Sequence, residues 1–185
     1  MSQTVPNYRW SVSEFVRAWE AGAFEHRVEL IEGELWPVLI AGWHGRAVGN
    51  VTYLLRRYGK ALVSTATLPS GDSLPDPDCW VQRPDARPRE VLGSRMEVWA
   101  PDDVLLVVEV SDATKLADLM TKARIYGSAG YAVYWVVTED AIYEHTEPTA
   151  GGYRHRTEYR SGEKLPLAYA GVELSVDELI PQSIA

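Results

Sequence analysis

Three side chains in this sequence sit where their neighbours make them costly, and all three could do chemistry. Glu109 belongs to VLLVVEV, residues 104–110, where the other six residues are aliphatic. A buried carboxylate survives when it is paired, when it reaches solvent at a strand end, or when it binds a cation. By alternation Glu109 shares a face with Leu105 and Val107, while Val104, Leu106, Val108 and Val110 face the other way. Asp78 closes LPDPD, fixed by Pro77 and abutting the apolar run Cys79-Trp80-Val81. Asp and Pro also favour turns for reasons of their own, which accounts for Asp76 more readily than for Asp78. Lys122 lies in TKLADLMTKARIYGSA, residues 114–129. At about 100° per residue, Leu116, Leu119, Ala123, Tyr126 and Gly127 form a core-facing stripe. Lys122 falls just inside one edge of it, and Asp118 lies one turn earlier on the polar side. Lysines at such an edge commonly snorkel to water, and Lys115 reads that way.

Two acids entering from neighbouring strands and a lysine from the following helix suit one kind of reaction. Hard divalent cations prefer oxygen ligands and keep several waters. Asp78, Glu109 and the backbone carbonyl of Val110 could hold Mg²⁺, or Mn²⁺ in its place. A metal so held lowers the pKa of bound water and polarises a phosphoryl oxygen. Lys122 could orient the water or stabilise charge developing on the phosphate. The set fits phosphodiester hydrolysis.

The elements that must position these residues read as a mixed sheet flanked by helices, an α/β arrangement in one domain spanning residues 1–185. Ser11 and Glu14 have capping-box spacing, and Phe15, Ala18 and Trp19 then share a helical face that Gly22 ends. Glu32-Gly33 separates two strand-like runs as a tight hairpin. Trp43, Ala47, Val51, Leu54, Leu55 and Tyr58 recur at helical spacing. Residues 61–68 and 78–83 read as strands, residues 83–102 as an arginine-bearing surface excursion, and VLLVVEV as a central strand covered on both faces. A helix over 114–129 follows, then strands at 131–138, 140–146 and 152–160, and a short helix from Ser175 to Ile180.

The balance of 26 acids against 18 bases gives a net charge of −8. That disfavours non-specific attraction to nucleic acid, so a DNA partner needs a local basic groove or a bound metal. With Cys79 the one cysteine, no intramolecular disulfide can form, and its apolar setting without a nearby histidine argues against a nucleophile. No signal peptide or membrane-spanning run is seen, so a cytoplasmic protein with no membrane partner is expected. Seven tryptophans exceed the needs of a small core, and Trp10, Trp36 or Trp99 at a subunit interface would make a homodimer.

The ordered series VELIEGELWPV, PDCWV and VVEVSDATKLADLMTKARIYGSAGYAVYWVV resembles the restriction-endonuclease-like Uma-two family, within the PD-(D/E)XK nuclease superfamily. The resemblance runs over roughly residues 10–180. It implies a restriction-endonuclease-like core with an N-terminal helix and hairpin. It also implies a metal-dependent endonuclease acting on DNA. Asp78 and Glu109 would be the metal acids. Ser111 occupies the position where a lysine usually follows the second acid, and Lys122 on the next helix would take that role. Glu29 in VELIEG matches an N-terminal acid that such nucleases add to the site and to the metal. His44 lies where the family often has a histidine, and Asp118 stands beside Lys122 as an accessory acid. Two other readings stay open: a catalytically silent nuclease-derived module for binding or dimerisation, and a metal-dependent hydrolase of a small phosphoester.

Overall fold

A computed structural model describes residues 8–38, 42–59, 62–111 and 115–182. The chain opens with helix α1 (Val12–Glu20), whose N-cap Ser11 and Glu14 form the reciprocal capping box read from the sequence. Strands β1 (Val28–Ile31) and β2 (Glu34–Pro37) make an antiparallel hairpin. Both of its turn residues, Glu32 and Gly33, have positive φ, as a two-residue turn matched to strand twist requires. Helix α2 (Gly42–Gly59) buries Trp43, Ala47, Val51, Leu54 and Leu55, the stripe its periodicity predicts.

Strands β3 (Leu62–Ser64) and β4 (Cys79–Gln82) follow, then the small hairpin of β5 (Glu90–Leu92) and β6 (Met96–Val98). Strand β7 (Val104–Val110) is the aliphatic strand that carries Glu109. The chain then runs through α3 (Lys115–Ala117), a π turn (Asp118–Lys122) and α4 (Ala123–Ser128) into β8 (Val133–Val137). The hairpin of β9 (Ala141–Thr149) and β10 (Gly152–Arg160) comes next. The small pair β11 (Lys164–Leu167) and β12 (Val172–Ser175) and helix α5 (Val176–Leu179) close the described chain.

The main sheet has six strands in the order β10-β9-β8-β7-β4-β3. Among the described residues only β7 and β8 pair in parallel, and they are joined by the helical crossover through α4. A sheet covered on both faces needs apolar strands throughout its centre, and β7 and β8 supply them. On one face α2 and α5 pack over Val108, Val110, Trp135 and Val137. On the other, α4 lays Ala123 and Tyr126 over Trp80, Val107, Tyr134 and Val136. A third cluster of Phe15, Val16, Leu30, Leu74 and Met96 seats α1 against the β1–β2 hairpin.

Several expectations need correction. The register between β4 and β7 slips between Val81 and Gln82, so Leu105 is passed over. That bulge turns Val104 onto the α4 face and Leu105 onto the α2 face, the reverse of simple alternation, while Glu109 keeps its side. The excursion at 83–102 contains the β5–β6 hairpin and is not all loop. Trp99 is buried against Trp80, so it is core and not interface. On α1, Phe15 and Val16 are buried, whereas Trp19 is exposed beneath the Arg95 guanidinium. Leu116 is 77% exposed and Asp118 1% exposed, opposite to the straight-helix reading. The π turn explains this. The amide of Ala123 bonds back to the carbonyl of Asp118, five residues earlier, and that extra residue rotates everything before it relative to α4.

Candidate active site

The site is assembled where β4 begins and β7 ends. Cys79 pairs with Val108, so Asp78 arrives beside the Glu109–Val110 step. Its Oδ2 accepts a 2.7 Å hydrogen bond from the Val110 amide. Its Oδ1 lies 3.0 Å from His44 Nε2, near the start of α2. Thus Val110 touches the site through its amide, while its carbonyl is the atom the sequence nominated as a ligand. Asp76, two residues earlier, is held by Arg27 and by Thr67, the turn role expected of it.

Glu109 is 4% exposed. Its Oε1 accepts two hydrogen bonds, one from Lys122 Nζ at 3.0 Å and one from Tyr126 Oη at 2.9 Å. The Lys122 amine also lies 3.1 Å from Glu29 Oε1 and 3.6 Å from Asp118 Oδ1. Glu29 comes from β1, which the chain around Leu74 bridges through Leu30. That bridge brings LPDPD alongside, and the Asp76 amide donates to Glu29 Oε2 at 3.0 Å. The π turn is what stacks Asp118, Lys122 and Tyr126 on the inner side. The structure therefore gathers Asp78, Glu109, Lys122, Glu29, His44 and Asp118 into one cluster. Tyr126 is the member the sequence did not reveal as polar. An aromatic on a helical stripe reads as core, and the one signal was its position one turn beyond Lys122.

The electrostatics follow from burial and crowding. Burial raises the Glu109 pKa well above the usual carboxylate range against the pull of Lys122, and the charges of Asp118, Asp78 and Glu29 push the same way. Burial also raises Glu29, with Lys122 and the Asp76 amide opposing it. For Lys122 burial alone would lower the pKa, but Glu109, Glu29 and Asp118 outweigh it and the amine stays an ammonium. Burial keeps the Tyr126 phenol protonated, so it acts as a hydrogen-bond donor. The Cys79 thiol is pushed up to about 12 by burial, which removes it as a nucleophile.

Three carboxylates, Glu29, Glu109 and Asp118, surround the one ammonium, and a fourth, Asp78, stands beside the end of β7, so the cluster is rich in hard oxygen atoms. Asp78, just before β4, and Glu109, on the adjacent β7, are the pair that could hold a cation. Among the described residues no set of three or more His, Cys, Asp or Glu side chains forms a closed ligand cluster. A two-carboxylate donor set suits Mg²⁺, which keeps several of its waters, better than an ion that needs an all-protein cage.

Residues 12–177 match the family described as "Uma2: Putative restriction endonuclease". The chain belongs to the Uma2 family. A crystal structure described as a putative nuclease belonging to DUF820, from Anabaena variabilis ATCC 29413, is similar to this Uma2 chain with a TM-score of 0.69 at 18% identity. The likeness covers 92% of this chain and 97% of that one, and it establishes a shared mixed α/β fold. The comparison with curated proteins found no match. Among the described residues, no helix is long and apolar enough to cross a membrane.

Proposed function

We propose that this Uma2 chain is a Mg²⁺-dependent endonuclease that hydrolyses phosphodiester bonds of DNA, with Mn²⁺ able to substitute. The reading rests above all on one contact: a buried lysine amine 3.0 Å from the carboxylate of a central aliphatic strand, with Asp78 beside it at the entry to the next strand. Asp78, Glu109 and the Val110 carbonyl would hold the ion, with Glu29 close enough to the Lys122 amine to adjust the charge. When bound, the metal would make a water more acidic and draw charge from the scissile phosphate. Lys122, kept as an ammonium, would donate a hydrogen bond to the attacking water or to a phosphate oxygen as charge builds. Tyr126 holds Glu109 through the same oxygen that Lys122 uses. His44 and the Val110 amide hold Asp78 from both sides. These supports fix the carboxylates before substrate arrives, so little reorganisation is needed during reaction.

The test is a plasmid-nicking assay in Mg²⁺ and in Mn²⁺, with Lys122→Ala beside the parent and circular dichroism on both. The parent is expected to nick, and the folded variant to lose activity by about 10²–10³-fold. Equal activity in the two would assign the nicking to a contaminant or to a different amine.

A further inference from the structure

A chain with a net charge of −8 repels the polyanion it is proposed to cut. Helix α2 departs from that balance. Its 18 residues include Arg46, Arg56 and Arg57 and no Asp or Glu. All three arginines are exposed, outside the buried stripe. Among the described residues none of them has a carboxylate within ion-pair distance, whereas Arg9, Arg27, Arg124, Arg154 and Arg160 each do. The helix begins at the site, since His44 reaches Asp78.

Helix stability does not explain this face. Arg56 and Arg57 in the last turn suit the helix dipole, but Arg46 sits near the N-terminal end, where a cation opposes it. The Arg46 guanidinium reaches back further still, to the Gly42 carbonyl at 3.3 Å. Gly45 and Gly49 share the exposed side, and each weakens a helix by about 1 kcal/mol relative to alanine. A Cβ on either would meet nothing within 4 Å, so packing within this chain does not require glycine there. Tyr53 stands exposed on the same crest, with the Arg57 guanidinium bonded to its hydroxyl at 3.0 Å and lying 5.9 Å from its ring centre. At 100° per residue His44 lies within the buried stripe, between Val51 and Leu55, and Asn50, which bonds to the Glu178 carbonyl on α5, lies just outside its opposite edge. Arg46 and Arg57 fall on Asn50's flank of the exposed face, where the Glu178 charge reaches Arg57, and Arg56 faces outward between Gly45 and Gly49.

We infer that the exposed face of α2, carried by Arg46, Tyr53, Arg56 and Arg57, is the surface along which the site engages the phosphate backbone of a DNA duplex. The inference rests on the endonuclease reading and names where its substrate lies. Arginine charges with no carboxylate in ion-pair distance meet a polyanion, and the glycines let its backbone approach closely.

Binding of a fluorescent duplex is measured by anisotropy in Ca²⁺ across a salt series, with a gel confirming that the duplex stays uncut. Three proteins are compared: the parent, R46A/R56A/R57A, and R154A/R156A/R160A, which removes the same charge from exposed positions on β10. The α2 variant is expected to bind at least about tenfold more weakly at 0.15 M salt, with a salt slope shallower by about 0.9 for each phosphate it no longer neutralises. The β10 variant is expected to stay within about twofold of the parent. If both variants weaken equally, only net charge matters and the surface is wrong. If the α2 variant binds like a parent that nicks plasmid, the surface inference fails while the endonuclease reading stands. A parent that neither nicks plasmid nor binds duplex overturns both.

Discussion

Lys122 is where removal of one side chain should be felt most. It is 7% exposed, and Glu109, Glu29 and Asp118 surround its amine. Lys122→Met keeps much of the volume but leaves those carboxylates buried without their cation. Losing one partner of a buried ion pair costs about 3–5 kcal/mol, and urea unfolding at neutral pH should register a loss of that order. Tyr126→Phe is the milder change. It deletes the hydrogen bond to Glu109 Oε1 while the ring still fills its place. We expect it to cost about 1.5–3 kcal/mol of stability and to slow nicking about tenfold with KM unchanged, because the phenol positions the carboxylate and touches no substrate. A raised KM with unchanged turnover would contradict that role. Glu109 and Asp78 were legible as members of the candidate cluster because each breaks the pattern of its surroundings. Tyr126 was not, because a buried tyrosine obeys the pattern of its helix and only its hydroxyl departs from it.

At the scale of elements, the crossover from β7 to β8 does most to shape the site. A helical wheel drawn at 100° per residue finds Lys122 but sets Asp118 outside and Leu116 inside. It assumes an unbroken ladder of four-residue hydrogen bonds, and no residue type announces a π turn. The hairpins β5–β6 and β11–β12 escaped for a related reason, since strands of three or four residues are too short for alternation to register. The seating of α4 on β10 gives a sharp prediction. A Cβ on Gly127 would fall 2.3 Å from the Gly152 carbonyl carbon, a backbone atom that cannot turn aside. Gly127→Ala should therefore destabilise by at least about 1–3 kcal/mol in thermal or chemical melts. The same layer holds His145 of β9, 5% exposed and packed on the rings of Tyr134 and Tyr153. Burial, with help from the Arg156 charge, lowers its pKa from 6.5 to about 4. Below pH 6.5 the unfolded chain takes a proton that the folded chain refuses. The stability His145 contributes as a neutral ring is thus complete above pH 6.5 and lost as pH falls toward 4. The unfolding free energy of the parent should fall more steeply over that window than that of His145→Phe, and identical slopes would refute the assignment.

At the scale of the whole molecule, the fold class and the order of its main helices and strands were readable, because long periodic segments such as α2 and β7 declare themselves. The homodimer expected from the tryptophans stands as a proposal. Trp99 has gone into the core, but Leu116 and Met120 stand 77% and 61% exposed one turn apart, outside the helix that carries Lys122. Light scattering at micromolar concentration should return twice the 20.7 kDa of one chain, and a monomer there would reject the dimer.

Ser111 lies two residues beyond Glu109, its hydroxyl buried and without a hydrogen-bond partner among the described residues. By the period of two, a longer side chain there would leave the strand on the side where the Lys122 amine now rests. One carboxylate can then be reached by two covalent routes, along the strand or back from the crossover. Ser111→Lys placed in a Lys122→Ala background should recover part of the lost cutting. In that event the address of the amine in the chain is negotiable, and only its delivery to one oxygen atom is not.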